Sequence, residues 1–356
     1  MLPNRNFWNG KKVLVTGHSG FKGGWLTIWL TRLGAKVSGV SLPPDSQPSL
    51  FDKSGLAEIC ASYFKDIRSF DAISAVIERE SPEVIFHLAA QPLVIAGYKN
   101  PVETFDTNIM GSLNVLQAAK NASKTSIVIV VTTDKVYAPS HDCVPFREGD
   151  KLGATDPYST SKSCVELIVQ SFRYSALELD IPKVATVRAG NVIGGGDWSE
   201  NRLIPDAIRS WTKNKPLEIR QPDAIRPWQH VLEPLAGYLC LAEYLWVTSN
   251  DAGALNFGPV PENQLTVLQV LRILSEDLNY DFGIQEGDLH RYKEASWLGL
   301  DTRMAEDLLG FKPIWSSETA IKVTSHWYRK ARFGEHALDL CFEDIAQYEC
   351  GESDCA

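Results

Sequence analysis

A hydroxyl, a carboxylate and an amine stand side by side in the middle of the chain, at Thr133, Asp134 and Lys135. They directly follow residues 126–131, a strongly apolar segment that is predicted to form a strand. In an open α/β sheet, ligands bind beyond the carboxyl ends of the strands. The position of these three side chains therefore indicates a site for chemistry.

A phenol and a second amine follow at Tyr158 and Lys162, four residues apart. In a helix this spacing places both side chains on one face, one turn apart. Together with the Thr133 hydroxyl they suit proton transfer beside a nicotinamide, whereas Asp134 and Lys135 indicate a reaction that goes beyond oxidation of an alcohol. A tyrosine and a lysine at this spacing are more often surface residues, so the interpretation depends on the surrounding sequence.

Three regularly spaced glycines predict a cofactor site near the start of the chain. Residues 11–16 are predicted to form a buried strand and residues 24–33 a helix, and Gly17, Gly20 and Gly23 lie between them. Strand, glycine turn and helix are the context of a dinucleotide-binding fingerprint, because glycine lets the backbone approach a pyrophosphate at the helix N-terminus. A glycine-rich turn without a ligand is the alternative. The cofactor contacts predicted in this loop are Gly17, Ser19, Gly20, Phe21, Lys22 and Gly23.

The segment that follows the second predicted strand, residues 37–41, favours NAD over NADP. No Lys or Arg lies between Val40 and Lys53 to receive a 2′-phosphate. The strand ends at Ser41 rather than at the acidic residue that commonly holds the adenosine ribose of NAD, so one usual contact is missing or displaced. Further cofactor contacts are predicted at Asp66, Ile67, Leu88, Ala89, Ala90, Tyr158 and Lys162.

Strand and helix patterns alternate over the first half of the chain, with short connections. This order predicts an α/β fold with a parallel, doubly wound sheet. After Asn191 the alternation breaks, which predicts a smaller lobe interleaved with the sheet. The predicted division is a cofactor domain at 1–190 with 229–258 returning, a substrate lobe at 191–228 and 259–334, and an acidic tail at 335–356.

The net charge of −9 comes mostly from residues 335–356. This segment has seven acidic residues and no Lys or Arg, which leaves −2 for the rest of the chain. We expect it to be a poorly ordered tail. The sequence has no basic block of the kind that marks a nucleic-acid surface, so no nucleic-acid partner is predicted.

The composition also predicts a compartment. Apolar stretches are far shorter than the ~18 residues of a membrane span, and no signal-peptide segment precedes the first strand. The seven cysteines are odd in number and lack a CxxC pair, and His18, His87 and His230 lack metal-ligand spacing. These features predict a soluble, cytoplasmic protein with reduced thiols, no membrane association and no bound metal.

Candidate substrate ligands lie in the predicted smaller lobe. Arg226 is followed by Pro227 and Trp228, which combines a guanidinium suited to phosphate with an aromatic face. Arg202 is a second candidate for the same task. Isolated arginines are more often solvated. Arg226 is the stronger candidate because an aromatic residue lies beside it in the sequence.

Five motifs resemble those of the extended short-chain dehydrogenase/reductases that act on nucleotide-sugars. The resemblance covers residues 11–330 and implies a Rossmann fold, bound NAD, and a nucleotide-sugar substrate contacted by Asn191. It also implies a homodimer or homotetramer, because relatives usually dimerise through two helices that correspond to residues 102–121 and 158–179. The motifs are TGHSGFKG at 16–23, HLAA at 87–90, TDKVY at 133–137, PYSTSK at 157–162 and RAGNV at 188–192.

Within this family, Asp134 and Lys135 together with Tyr158 resemble the pattern of enzymes that remove water from CDP-glucose. Dehydratases of the dTDP-glucose type have Asp-Glu at the first two positions. Those acting on UDP-N-acetylglucosamine typically have Met in place of Tyr158, and epimerases lack the acid–base pair. Ile95 and Ala96 stand where many relatives have basic residues, which argues against a substrate contact from that loop.

The resemblance implies a role for each catalytic residue. Tyr158 takes the proton of the sugar 4-hydroxyl with help from Lys162, and Thr133 orients that hydroxyl. Lys135 is the expected base and Asp134 the expected acid in the loss of water, although the reverse stays open because neighbouring groups titrate as a pair. NAD is expected to be bound but not consumed, in deoxysugar or O-antigen biosynthesis. The alternatives are an epimerase, a 4,6-dehydratase for another nucleotide-sugar, or a silent binding protein.

Overall fold

The computed structural model describes residues 1–140, 144–176, 182–219, 221–259, 265–281, 283–286 and 298–351. Its strands are β1 (Lys12–Thr16), β2 (Lys36–Ser41), β3 (Ala61–Phe64), β4 (Val84–His87), β5 (Ile127–Val131), β6 (Lys183–Ala189), β7 (Val192–Ile193), β8 (Leu217–Ile219), β9 (Ile225–Arg226), β10 (Gln229–His230), β11 (Ala254–Phe257), β12 (Leu265–Thr266) and β13 (Ile284–Glu286).

The α-helices are α1 (Arg5–Trp8), α2 (Phe21–Arg32), α3 (Leu50–Lys53), α4 (Leu56–Ile59), α5 (Phe70–Glu80), α6 (Val94–Lys99), α7 (Pro101–Phe105), α8 (Gly111–Asn121), α9 (Pro157–Ala176), α10 (Leu203–Thr212), α11 (Leu232–Val247), α12 (Val267–Leu278), α13 (Arg303–Leu309), α14 (Ser317–Arg332) and α15 (Ala337–Cys350). A π-helical turn, Asp106–Met110, joins α7 to α8, and a 3₁₀ turn, Asp134–Val136, follows β5.

Seven strands of the described chain pair in parallel, in the order β11, β6, β5, β4, β1, β2, β3. The chain moves outward from β1 to β3 in one direction and from β4 to β6 in the other, so the winding reverses between β1 and β4. All residues of β4 and β5 are buried, because helices pack on both faces of the sheet. The predicted α/β fold with a doubly wound parallel sheet is confirmed.

The helix predicted over 102–121 is interrupted by the π-helical turn. This turn carries Asn108, which is fully buried and accepts a hydrogen bond from the backbone N–H of Gln91 at 2.8 Å. The Asn108 amide donates to the Ser161 hydroxyl, also at 2.8 Å. Single π turns occur frequently at functional sites. Here the turn links the loop after β4 to α9, the helix that carries Tyr158.

Helix α9 is the element predicted over residues 158–179. It begins at Pro157, whose fixed φ and missing N–H suit the first turn of a helix. It continues to Ala176, and residues 177–179 of the prediction lie outside the described residues. Tyr158 and Lys162 are therefore one turn apart on this helix, as their spacing predicts.

The segments after Asn191 form short paired strands. Within the described residues, β7 pairs with β10, β9 with β12, and β8 with β13, while β11 joins the edge of the main sheet beside β6. The chain thus leaves the main sheet after β6 and returns to it at β11. The division into two lobes with the boundaries given above stays a prediction.

The poorly ordered tail expected from residue 335 onward is wrong for the part that the structure describes. Residues 337–350 form α15, in which Leu340, Cys341, Ile345 and Tyr348 are buried. The Tyr348 hydroxyl donates to Glu233 of α11 at 2.8 Å. Asp339 and Glu343 of this helix are exposed, whereas Asp344 is buried and Glu349 accepts from the indole N–H of Trp29. The charge count therefore concealed the apolar stripe of α15.

In the described part of the chain, no helix is long and apolar enough to cross a membrane. The same residues contain no group of three or more His, Cys, Asp or Glu side chains placed to hold a metal ion. Five cysteines, Cys60, Cys164, Cys240, Cys341 and Cys350, are free thiols.

Candidate active site

A cavity of about 1290 Å³ opens at the carboxyl ends of the sheet strands, where the winding reverses. This is the place at which doubly wound proteins bind ligands. Every residue predicted to contact cofactor or substrate, or to act in catalysis, lines this one cavity. They are Gly17, Ser19, Gly20, Phe21, Lys22, Gly23, Asp66, Ile67, Leu88, Ala89, Ala90, Thr133, Asp134, Lys135, Tyr158, Lys162, Asn191, Arg202 and Arg226.

The glycine loop between β1 and α2 is tight for a physical reason. Gly17 has a φ of +78°, and a Cβ there would lie 2.8 Å from the Ala89 nitrogen. A Cβ on Gly23 would lie 2.1 Å from the Gly17 carbonyl oxygen. Only glycine permits these approaches. They bring the first turn of α2 and the loop after β4 together at the wall of the cavity.

At the end of β2, Ser41 occupies the position at which an acidic residue commonly binds the adenosine ribose of NAD. Ser41 is buried, and its hydroxyl is 3.0 Å from Nδ1 of His18. The other ring nitrogen of His18 is 3.0 Å from the Ser62 hydroxyl. Burial lowers the pKa of His18 to about 4, so the ring is neutral at pH 7. Ser41 is thus already engaged by a neutral histidine.

Two basic residues, Lys65 and Arg68, also line this end of the cavity. Both follow Lys53 in the sequence, and the prediction considered only the positions before it. Arg68 is paired with Asp66 at 2.6 Å, and its guanidinium lowers the pKa of that carboxyl. An arginine held by a carboxylate is a poor receptor for a 2′-phosphate.

We therefore expect the protein to bind NAD more tightly than NADP. We also expect NAD to bind several-fold more weakly than to relatives with an acid at the end of the second strand, because one ribose hydrogen bond is worth on the order of 1 kcal/mol. Calorimetric titration with both dinucleotides measures the preference. Tighter binding of NADP than of NAD would contradict this prediction.

The residues after β5 form a compact catalytic group. The Thr133 hydroxyl donates to Oδ1 of Asp134 at 2.9 Å, and it also acts to lower the pKa of the neighbouring Tyr158 phenol. Oδ2 of Asp134 is buried and has no hydrogen-bond partner among the described residues. Burial raises the pKa of the Asp134 carboxyl, against the lowering effects of Lys135 and of the Thr133 hydrogen bond. Asp134 is therefore suited to carry a proton.

Burial acts in opposite senses on the tyrosine and lysine of α9. It raises the pKa of Tyr158 to about 12, although the Thr133 hydrogen bond favours the phenolate. It lowers the pKa of Lys162 to about 8, and the Lys162 ammonium donates to the Val131 carbonyl oxygen at 2.9 Å. Tyr158 therefore needs additional positive charge beside it before it can act as a base near pH 7.

Lys22, predicted only as a cofactor contact, reaches the same region. Its ammonium lies 5.8 Å from the ring centroid of Tyr238, a fully buried residue of α11. Burial and the charge of Arg202 lower the pKa of Lys22 to about 7, while Asp134 raises it. Tyr238 was missed from the sequence, because α11 follows β5 by a hundred residues and no local pattern links them.

A buried ion pair supports the catalytic group from behind. Glu166 of α9 accepts from Nη2 of Arg188 at 2.7 Å and from its Nε at 2.9 Å. It also accepts from the hydroxyls of Thr132 and Thr186. This network joins β5, β6 and α9 next to Thr133 and Lys162. Glu166 lies four residues after Lys162, so helical spacing could have placed it near the site.

The two arginines predicted to bind substrate differ in their surroundings. Arg202 lies at the N-cap position of α10, and its side chain is paired with Asp197 at 3.2 Å. Arg226 is 8% exposed, lies on β9, and donates to the Ile225 carbonyl oxygen at 3.0 Å. Trp228 is also buried and lines the cavity beside it. Arg226 thus projects from a short strand into an enclosed part of the cavity.

Comparison with protein families gives a match over residues 13–248 to the NAD dependent epimerase/dehydratase family. The match spans the main sheet up to α11, the five predicted catalytic residues and Arg226. The chain belongs to this family.

Members of the epimerase/dehydratase family include a relative that matches this chain over almost its full length. It is a CDP-glucose 4,6-dehydratase from Salmonella typhimurium, 40% identical over 98% of both chains. A dTDP-glucose 4,6-dehydratase from Shigella flexneri is 28% identical over 89% of this chain and 92% of its own.

Solved structures of the family share the fold. A UDP-glucose 4-epimerase from Thermotoga maritima superposes with a TM-score of 0.79, at 22% identity over 90% of this chain and 99% of its own. A dTDP-glucose 4,6-dehydratase from Streptomyces venezuelae, solved with NAD bound, gives a TM-score of 0.77 at 22% identity, over 92% and 99%. At this identity the likeness concerns the fold of the family and not the reaction.

Proposed function

We propose that the protein converts CDP-glucose into CDP-4-dehydro-6-deoxyglucose and water, using bound NAD. The observation that carries the proposal is the placement of Asp134 and Lys135 directly after β5, in the same cavity as Tyr158. An epimerase needs only the tyrosine and its supporting groups. The full-length similarity to a CDP-glucose 4,6-dehydratase supports both the reaction and the substrate.

The cavity fits NAD. The loop from Gly17 to Gly23 presents backbone where side chains would clash, which is the arrangement that accepts a pyrophosphate at a helix N-terminus. Asp66 and Ile67 would contact the adenosine end, and Leu88, Ala89 and Ala90 the middle. When bound, NAD would supply reversible hydride transfer between carbon 4 and carbon 6 of the sugar.

The first step assigned to protein side chains is removal of the 4-hydroxyl proton by Tyr158. Thr133 lies near enough to act on the pKa of Tyr158 and can orient the same hydroxyl. Because burial raises the pKa of Tyr158 to about 12, the phenolate depends on positive charge from Lys162 and from the cofactor. The 4-ketone that results makes the hydrogen on carbon 5 acidic.

The second step is loss of water. Lys135 is proposed to remove the carbon 5 proton, and Asp134 to protonate the departing 6-hydroxyl. The raised pKa of Asp134 supports its assignment as the acid, because burial favours the protonated carboxyl, which is the form that can donate. A carbon 5 proton is then restored as the hydride returns to carbon 6.

The proposal is tested by incubating the purified protein with NAD and CDP-, dTDP-, GDP- or UDP-glucose and measuring the product masses by mass spectrometry. The expected result is loss of one water from CDP-glucose alone. Water loss from another of these sugars would redirect the substrate assignment. A change of sugar configuration without water loss would favour an epimerase, and no change in any of them would favour a binding protein.

Arg226 is proposed to hold the substrate diphosphate, because guanidinium groups bind phosphate oxygens with paired hydrogen bonds. Arg226→Ala is expected to weaken CDP-glucose binding by ~10- to 100-fold, the loss of one or two charge-assisted hydrogen bonds, and to leave NAD binding almost unchanged. Calorimetric titration with each ligand measures both. Arg303→Ala is the matched control, since Arg303 is exposed, paired with Asp301, and outside the cavity. Equal effects of Arg226→Ala and Arg303→Ala on CDP-glucose binding would contradict a role for Arg226 in holding the substrate.

We propose further that the chain is cytoplasmic and forms a homodimer or homotetramer. Large apolar side chains are exposed along α7, the π-helical turn and α9: Val102 (81%), Met110 (46%), Leu167 (55%) and Tyr174 (67%). Exposed apolar side chains that recur along neighbouring helices are suited to bury one another in a symmetric contact. Light scattering of the purified protein measures the molar mass that distinguishes a monomer from a dimer or tetramer.

A further inference from the structure

The proposed reaction leaves a proton in the wrong place at the end of each turnover. The sugar gives up two protons, one from the 4-hydroxyl to Tyr158 and one from carbon 5 to Lys135. It receives two, one on the departing 6-hydroxyl from Asp134 and one on carbon 5. Once Lys135 has restored the carbon 5 proton, Tyr158 holds one proton too many and Asp134 one too few. A second turnover requires a proton to pass from Tyr158 to Asp134.

The structure offers little access for solvent to make this exchange. Tyr158 is 8% exposed, Thr133 is 6% exposed and Asp134 is 2% exposed, and the substrate would cover them further. Lys22, Lys135 and Arg226 lie near enough to influence Asp134 electrostatically. Yet Thr133 is the one residue in the described chain whose side chain is hydrogen-bonded to the Asp134 carboxyl.

Thr133 also has the polarity that the transfer needs. A hydroxyl has one proton to donate and two lone pairs to accept with. Thr133 donates its proton to Oδ1 of Asp134 at 2.9 Å and accepts from the Lys135 backbone N–H at 3.3 Å. Its remaining lone pair is available to the Tyr158 phenol, which lies near enough for Thr133 to act on its pKa. The route for the proton therefore runs from the Tyr158 phenol to the Thr133 hydroxyl and on to the Asp134 carboxylate.

We propose that Thr133 carries the proton from Tyr158 back to Asp134 after each turnover. The Tyr158 O–H bond breaks as its proton joins the Thr133 oxygen, and the original Thr133 proton passes to Oδ1 of Asp134. Tyr158 is left as phenolate and Asp134 as carboxylic acid, with no net change in charge. The 4-ketone of the product has no hydroxyl proton to compete for Thr133. Rotation of the carboxyl group then moves the acid proton to the position of Oδ2, which has no hydrogen-bond partner among the described residues.

This role rests on the proposed dehydratase function. Comparing the rate of the first turnover with the rate of later turnovers distinguishes a proton relay from a residue that only orients the sugar. Thr133→Val keeps the shape of the side chain and removes the hydroxyl. Rapid-quench measurement is expected to show one product per site followed by a steady state slower by at least about tenfold, because a missing proton-transfer group typically costs ~10²–10⁴-fold. Thr133→Ser retains a hydroxyl and is expected to show no such separation. Equal slowing of first and later turnovers in Thr133→Val would overturn the proposal.

If Thr133→Val makes no product even in the first turnover, an infrared measurement without substrate tests the proton relay instead. The infrared carboxyl band of Asp134, identified by its loss in Asp134→Asn, is expected to shift when Tyr158→Phe removes the phenol. In a Thr133→Val background, Tyr158→Phe is expected to leave the band unmoved, because the connection is already cut. A band that ignores Tyr158→Phe in the native background overturns the relay. Failure of the wild-type protein to release water from CDP-glucose would instead overturn the proposed function.

Discussion

Replacement of Lys135 by Met is expected to make reduced cofactor accumulate on the enzyme with little product. Methionine keeps most of the length of the side chain but cannot accept a proton. Oxidation at carbon 4 should continue, because Tyr158, Lys162 and Thr133 remain in place. Loss of the carbon 5 proton should slow by ~10²–10⁴-fold, the usual contribution of a positioned base. The absorbance of the reduced nicotinamide, followed after mixing with CDP-glucose, measures the accumulation.

Tyr158→Phe provides the matched comparison, since it should yield neither reduced cofactor nor product. Lys135 is partly exposed and lowers the pKa of Asp134, so the variant could also bind substrate differently. The CDP-glucose dissociation constant of Lys135→Met therefore has to be measured beside the kinetics. Dehydration by Lys135→Met at close to the normal rate would assign the base to another residue.

Replacement of Arg188 by Met is expected to lower the free energy of unfolding by ~3–5 kcal/mol, the usual cost of removing one member of a buried ion pair. The reason is that the buried carboxyl of Glu166, only 4% exposed, would lose the guanidinium that compensates it. Urea denaturation followed by circular dichroism measures the loss.

Two further variants test that explanation. Arg303→Met removes an arginine whose side chain is 68% exposed, and such surface pairs contribute ≈ 0–1 kcal/mol. Its stability should stay close to that of the wild type. The double variant Glu166→Leu, Arg188→Met should recover part of the loss, because no unpaired charge remains. Equal stabilities of Arg188→Met and Arg303→Met would contradict the assigned role of the ion pair.

Local sequence pattern was sufficient for most of the sheet and for the helices beside it. The strand predicted over 11–16 is β1 and the strand predicted over 126–131 is β5, each with a start one residue later. Both are largely apolar segments with clear ends, such as Gly17 directly after β1. The site followed from them, because the residues after parallel strands meet at one edge of the sheet.

The failures arise where distant contacts override local pattern. Nothing within 102–121 predicts a π turn, since its cause is the set of hydrogen bonds that Asn108 makes to Gln91 and Ser161. The charge of the segment after residue 335 predicted disorder, whereas its fold depends on packing against α2 and α14 and on the Tyr348 hydrogen bond to Glu233 of α11. The Glu166–Arg188 pair likewise exists only once α9 packs on β6.

The packing of α15 on α2 has a consequence for biosynthesis of the chain. The indole N–H of Trp29 donates to Glu349 at 2.9 Å, and its ring lies edge-on to Tyr348 with centroids 5.6 Å apart. These partners are separated by 320 positions in sequence. While the chain is being translated, the outer face of α2 therefore stays uncovered until the ribosome has passed residue 349. Exposed apolar surface of this kind promotes aggregation of incomplete chains, so the nascent protein is most dependent on chaperones in the interval between formation of the sheet and arrival of α15.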